Sequence, residues 1–425
     1  MPIHEVTPAP ETALSLARPV ATLDPNALDV PAEGEALRRL GHGLVPVALP
    51  GAPGQPTVRA WAVTDHDVAK AILDSKDFAK SPEAWEAYPE QLPEPFPLLQ
   101  VITAPLLSND GSDHRRLRSL ISKAFTARRV DALRGRVEEI AQELLVDIPT
   151  SERVDLRRHY ARPLPIRVIS ELFGLKDLGD RERLADACDA LLDSHVTKEQ
   201  AGTAHTVIHE VISGLIERKR HQQGDDLTSA LIRARDDEDR LSHQELHEML
   251  FLLLIAGMET TQNLIVNGAL ALLDHPAELS LLLAGVASYA TAVSETLRYD
   301  SPLNTLMFYF AVRDVTIGEV TVCKGEAVLF CLTAIGRDPH TAPDPDVFRL
   351  DRPPAQMRHL SFSYGPHYCL GAQLAQMEAE IALRVLFTQR TVTTQESRAS
   401  LPRMASLSSQ SAACLPVQLA DWLAA

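Results

Sequence analysis

The chain is predicted to be mainly α with a small β-rich portion, folded as one large unit. Apolar residues recur at helical spacing over long stretches, most clearly through Leu246, Met249, Leu250, Leu253 and Leu254 toward Leu273. Strand-like alternation is confined to short runs such as Val58 to Val63 and Val315 to Val322. The 29 prolines are scattered along the chain, adjacent only at Pro353-Pro354, and no linker, repeat or low-complexity tract divides the 425 residues. Residues 1–31, rich in Pro, Ala and Thr, are expected to form a loosely ordered leader, and residues 32–425 a single domain.

Composition excludes several classes of function. A formal net charge of −16 argues against nucleic acid or an anionic membrane as partner. The N-terminus has no charged-then-apolar signal pattern, and the strongly apolar run Met249 to Met258 is half of what a membrane helix needs. A soluble, cytoplasmic protein is expected. The five cysteines are odd in number and widely spaced without a Cys-x-x-Cys, so neither a zinc site nor a disulfide framework is implied.

In chain order, Val58 to Val63 reads as a strand, and His66 to Leu73 as a helix capped by Asp65. Ser81 to Leu107, with six prolines among Trp85, Phe96, Leu98 and Leu99, is a long irregular connection, either functional or packed on the core. Asp110 is the cap candidate of a helix carrying His114 and Arg118. Four residues apart, these two share a face and can donate to one anion, although an isolated basic cluster is ordinarily a solvated face. Arg115 and Arg116 point elsewhere, as a positive patch that could meet an acidic electron donor. Val130 to about Leu231 is helical by period, with Arg181 to His221 a pair of amphipathic helices.

Ser242 and Glu245 have capping-box spacing at the head of a long helix. In its middle, Ala256-Gly257-Met258-Glu259-Thr260-Thr261 sets an acid and two hydroxyls among apolar neighbours. Ala256 and Gly257 permit close approach of a flat ligand, and Glu259 with Thr260 can hold water and pass protons. A close helix crossing at Gly257, with Thr260 bonded back to a carbonyl, is the structural alternative. Glu295 and Arg298 follow at i,i+3, then short strands at Val315 to Val322 and Ala327 to Thr333 with a turn at Lys324-Gly325. The stretch Leu360 to Gly371 punctuates the approach to Cys369 with aromatics and glycines, then runs into a helix reaching about Arg390. Amides of that helix start can point at sulfur and favour thiolate, and Gly371 lets the backbone pass closely. A buried inert cysteine is the alternative. Ala405 to Cys414 reads as a terminal strand-and-loop region.

Phe362, Gly365, His367, Cys369 and Gly371 stand as Phe-x-x-Gly-x-His-x-Cys-x-Gly, which resembles the haem-binding loop of the cytochrome P450 monooxygenases. The Ala256 to Thr261 stretch is similar to that family's oxygen-activating helix, and the Glu295/Arg298 pair to its buried Glu-x-x-Arg. The resemblance runs from about Val58 to the C-terminus and implies the P450 fold with haem b, iron protoporphyrin IX, ligated by Cys369. It implies that His114 and Arg118 bond the haem propionates, that Ala256, Gly257, Phe362, His367 and Gly371 border the haem, and that Glu259 and Thr260 deliver protons. The Ser81 to Leu107 loop would cover the pocket and the Arg181 to His221 pair would lid it. Gly336 stands where asparagine is usual, and Tyr309 where the family commonly has an arginine for a propionate.

The implied reaction inserts one atom of O2 into a C–H bond and reduces the other to water. No flavin- or dinucleotide-binding glycine pattern occurs, so electrons would come from a separate ferredoxin with its NAD(P)H-dependent reductase. A hydrophobic natural product such as a polyketide or macrocycle is the substrate expected by analogy, and a monomer the expected state. Epoxidation or oxidative coupling by the same centre are rivals. A catalytically silent haem-binding partner protein is a further rival, against which stand the intact Cys369, Glu259 and Thr260.

Overall fold

The Ser242 hydroxyl accepts the Glu245 N–H at 3.0 Å while Glu245 Oε2 accepts the Ser242 N–H at 2.7 Å, so the expected capping box starts the helix His243–Asp274. This computed structural model describes residues 14–27, 29–41, 43–49, 57–87, 104–150, 152–192, 196–236 and 241–421. Beyond its first turns the long helix is buried nearly all round, because it runs through the core. It packs against the helices Pro163–Phe173, Tyr289–Tyr299 and Ala372–Gln389. It is long and apolar enough to cross a membrane, yet most of it is covered by protein. Burying each leucine or isoleucine along it contributes about 2 kcal/mol. The expected helix pair is present as Leu178–Leu192 and Lys198–His221.

The small β portion is chiefly one mixed six-stranded sheet. Its order is Ala21–Thr22, Leu44–Leu49, Val58–Val63, Ala327–Cys331, Thr305–Ala311 and Phe78–Ala79. Trp61, Ala62 and Val63 pair in parallel with Val328, Leu329 and Phe330, so strands more than 260 residues apart become neighbours. The leader meets the sheet earlier than its composition suggests. Ala21 and Thr22 pair with Val47 and Ala48, Leu16 and Leu23 are buried, and a helix capped by Asp29 already starts at Val30. Residues 1–13 lie outside the described residues.

Three other expectations are corrected. The strand from Ala327 ends at Cys331, and Leu332–Gly336 is a helical turn. The terminal strand is Pro416–Asp421, paired with Arg390–Thr393, while 405–414 is loop joined by single bridges such as Leu303 to Ser409. Asp110 stands at the helix Gly111–Ala124 without capping it, because its carboxylate accepts the Lys80 N–H at 2.7 Å and the Ser81 N–H at 3.2 Å.

Glu295 and Arg298 are fully buried and joined by two hydrogen bonds of 2.7 and 2.8 Å. Arg298 also donates to the carbonyls of Gly336 and Pro345, and Arg352 to Glu295 Oε1 at 3.0 Å. The pair therefore holds the helix Tyr289–Tyr299 to the Gly336 to Arg352 segment. Gly336 has a packing reason, since a Cβ there would lie 2.1 Å from the Arg298 carbonyl oxygen. Of the Ser81 to Leu107 connection, residues 88–103, including Phe96, Leu98 and Leu99, lie outside the described residues. Trp85 stacks on Phe308 and Phe310.

Candidate active site

Cys369 sits where a tight loop turns into a helix. Ser363 (φ 61°) and Gly365 (φ 71°) reverse the chain, and a Cβ on Gly365 would lie 2.8 Å from the Leu73 carbonyl oxygen. The Cys369 N–H then donates to the Phe362 carbonyl at 2.8 Å, closing the loop just before the helix Ala372–Gln389. The amides of Gly371 and Ala372 point at the sulfur, as expected. Burial pushes the thiol pKa up, and the Gly371 amide, Arg118 and the Ala372 amide act against it. Holding thiolate here takes a cation on the sulfur. Cys369 lies deep among protein atoms yet has open surface, and that surface faces a cavity. Gly371 has an ordinary φ of −83°, and a Cβ there would lie 3.9 Å from Sγ, so neither backbone nor packing demands glycine.

The cavity has a volume of about 320 Å³ and is lined largely by apolar side chains, among them Leu106, Phe125, Ile169, Leu253, Leu264 and Leu374. Its walls bring together every expected site residue: His114, Arg118, Ala256, Gly257, Glu259, Thr260, Phe362, His367, Cys369 and Gly371. The long helix contributes its middle. Gly257 also serves a close crossing, since a Cβ there would lie 3.1 Å from Ile169 Cδ1, and Thr260 Oγ1 donates to the Ala256 carbonyl at 2.7 Å. Both features of the structural alternative are thus present beside a cavity-lining role. Glu259 is buried. Its Oε2 accepts the Ser409 hydroxyl at 3.0 Å, and its Oε1 has no hydrogen-bond partner among the described residues. Burial pushes its pKa up to about 7, against lowering by Ser409 and Arg157, so near neutrality it can both give and take a proton.

A second region of the lining is cationic. The rings of His114 and His367 lie 4.1 Å apart, and Arg118 donates to the Tyr368 carbonyl at 2.7 Å. Burial, then the neighbouring His367 and Arg118, lower the His114 pKa to about 4. At pH 7 His114 is a neutral donor, and of this helical pair Arg118 carries the charge. Arg115 and Arg116 are both exposed, as expected, and Arg116 pairs with Glu245.

Three of the lining residues that sequence reasoning missed bear on the chemistry of the site. Glu378, on the helix after Cys369, is buried with Oε2 unpartnered among the described residues, and burial alone drives its pKa well up. Ser409 comes from the C-terminal loop. Lys80, on the segment after strand Phe78–Ala79, is buried and reaches the cavity, whereas Tyr309 does not line it. Apolar helical spacing around Glu378 carried a usable signal, while nothing local in Phe-Ala-Lys or in the serine run pointed to a pocket.

A family model described as Cytochrome P450 matches residues 289–414. Over much more of the chain, 2-hydroxy-5-methyl-1-naphthoate 7-hydroxylase of Streptomyces carzinostaticus is 39% identical across 372 residues, covering 86% of this chain and 88% of that protein. The chain belongs to the cytochrome P450 family. The 6-deoxyerythronolide B hydroxylase of Saccharopolyspora erythraea is 40% identical over 334 residues, 77% of this P450 and 82% of that enzyme. Among solved structures, CYP154A1 from Streptomyces coelicolor A3(2) superposes with a TM-score of 0.85 at 36% identity, covering 94% of this P450 and all of that chain. The family is one of haem-thiolate monooxygenases, so the cofactor is haem b. The residues present fit it: a soft sulfur facing an apolar cavity, and cationic groups in the same lining for the two propionates.

Proposed function

We propose that this P450 hydroxylates a hydrophobic natural product of polyketide or related class, with Cys369 as the axial ligand. The observation that carries the reading is that Cys369 and the Ala256 to Thr260 turn line one apolar cavity. Haem b bound there supplies O2 activation at a thiolate-ligated iron. Phe362 and Gly371 would border the ring on the sulfur side, and Ala256 and Gly257 on the other. His114, Arg118 and His367 would bond its propionates. Glu259, poised near neutral pKa, would release protons that Thr260 relays from its hydroxyl, now turned to the Ala256 carbonyl. Apolar residues such as Leu253, Leu264 and Leu303 would exclude water and hold the substrate.

Support for the substrate class comes from relatives named as hydroxylases of a naphthoate and of 6-deoxyerythronolide B. Electrons would come from a ferredoxin and its NAD(P)H-dependent reductase, with the enzyme a soluble cytoplasmic monomer. The test is the carbon monoxide difference spectrum of the reduced protein, followed by substrate screening by Soret shift. Wild type is expected to give the red-shifted thiolate band and Cys369→Ser to lose it. A serine variant that keeps the band overturns the ligand assignment. Product analysis of each hit separates hydroxylation from epoxidation or coupling.

A further inference from the structure

Lys80 is a buried cation whose surroundings do not match its charge. It retains only 6% exposure, and among the described residues no carboxylate forms an ion pair with it. Its Nζ donates to the carbonyls of Met307 at 2.9 Å and Phe308 at 3.0 Å. It also lies 4.6 Å from the centre of the Tyr309 ring. An ammonium carries three donors, so one remains. Burying an unpaired charge costs several kcal/mol, and burial accordingly lowers the Lys80 pKa to about 8. A side chain held this way fits a place that an anion completes.

The cavity supplies the anion's position. Lys80 lines it together with His114, Arg118 and His367, and the cofactor of this family carries two propionate carboxylates. Tyr309 itself stops short of the cavity, at 4% exposure, with burial pushing its phenol pKa up, so it offers an aromatic face and no charge. Its ring stands edge-on to His367 at 6.3 Å, which places Lys80 and His367 about one aromatic ring. Among the described residues, Asp110 is the carboxylate whose charge acts on Lys80, and its oxygens are committed elsewhere: Oδ2 accepts the Lys80 and Ser81 amides, and Oδ1 lies 3.5 Å from His367 Nε2.

We infer that Lys80 binds a haem propionate in this P450, with the carbonyls of Met307 and Phe308 and the face of Tyr309 holding its ammonium in place. The charge contributed to that propionate is then borne by the segment after strand Phe78–Ala79 and braced by strand Thr305–Ala311, which pairs with it.

The inference rests on the haem-thiolate reading but is tested apart from it, by the rate at which ferric haem is lost to excess apomyoglobin. Two cofactors are compared: haem and its dimethyl ester, whose propionates carry no charge. Charge-assisted hydrogen bonds are strong enough that wild type is expected to lose the ester at least about tenfold faster. In Lys80→Gln, which keeps N–H donors for the two carbonyls without the charge, that ratio should fall severalfold. Adding Tyr309→Arg to Lys80→Gln should restore it by returning a cation to the same place. A lysine that only braces the strand would change both loss rates equally and leave the ratio as in wild type, which overturns the proposal. Equal loss of haem and ester by wild type would also overturn the proposal, because it would leave no propionate contact for Lys80 to make. The carbon monoxide difference band of wild type reports the thiolate separately, so failure of this inference does not resemble failure of the enzyme reading.

Discussion

Ser409 donates its hydroxyl to Glu259 at 3.0 Å, across 150 residues of sequence, and leaves the other carboxylate oxygen of Glu259 buried without a partner among the described residues. This bond couples the C-terminal loop to the middle of the long helix. It also sets how readily the only carboxyl in the Ala256 to Thr261 turn gives up its proton, since hydrogen bonding to the charged form lowers a pKa that burial has raised.

Removing that donor should move the working pH. In Ser409→Ala the Glu259 pKa rises further above its already raised value of about 7. If protonated Glu259 feeds oxygen activation, product formed per electron consumed falls as pH rises through its pKa, and in the variant this fall comes at higher pH. Coupling profiles of the two proteins measured from pH 6 to 9 check it, and superimposable profiles would remove Ser409 from the proton path.

Glu259 should also cost stability at high pH. Its folded pKa of about 7 exceeds the unfolded 4.5, so between these values the folded state binds more protons than the unfolded one. Stability is therefore lost as pH rises from 4.5 through 7, and stays lost above. Glu259→Gln cannot ionise and escapes this loss. Relative to wild type it should gain about 2 kcal/mol between pH 5 and pH 8, read from urea midpoints. A pH-independent difference would mean that the carboxyl is not buried as described.

Thr260→Ala removes the hydroxyl that now bonds to the Ala256 carbonyl at 2.7 Å. Haem binding and the carbon monoxide band should stay as in wild type. Product per NAD(P)H should drop severalfold, with the missing electrons recovered as hydrogen peroxide, and Thr260→Ser should regain most of the coupling. Unchanged coupling in the alanine variant would reduce Thr260 to a helix residue.

Glu295→Ala leaves the fully buried Arg298 and the nearly buried Arg352 without their carboxylate. Breaking a buried pair from one side costs about 3 to 5 kcal/mol. The variant is expected to accumulate poorly, with little bound haem. An unfolding free energy from urea titration within about 1 kcal/mol of wild type would sink the structural role.

The parts of the site that could be read early are those the chain builds locally. Cys369 and its loop, the capping box at Ser242, and the His114/Arg118 spacing each lie within one turn or one loop, where residue type and separation decide geometry. Misreadings came where a local signal had a distant competitor. Asp110 looks like a helix cap, but the Lys80 and Ser81 amides, thirty residues back, take its carboxylate.

By itself the sequence determined the long apolar helix, the cysteine loop with its helix start, and the acid and hydroxyl side by side at Glu259 and Thr260. Periodicity and short-range hydrogen bonding are properties of neighbours in the chain. Only the tertiary structure decided that Ser409 meets Glu259, that Lys80 lies over Tyr309 with its Nζ on the carbonyls of Met307 and Phe308, and that Gly257 must admit Ile169. These contacts join residues from 88 to 229 positions apart. Charge balance and pKa in the cavity depend on such meetings, because burial and through-space fields are set by what surrounds a group in space.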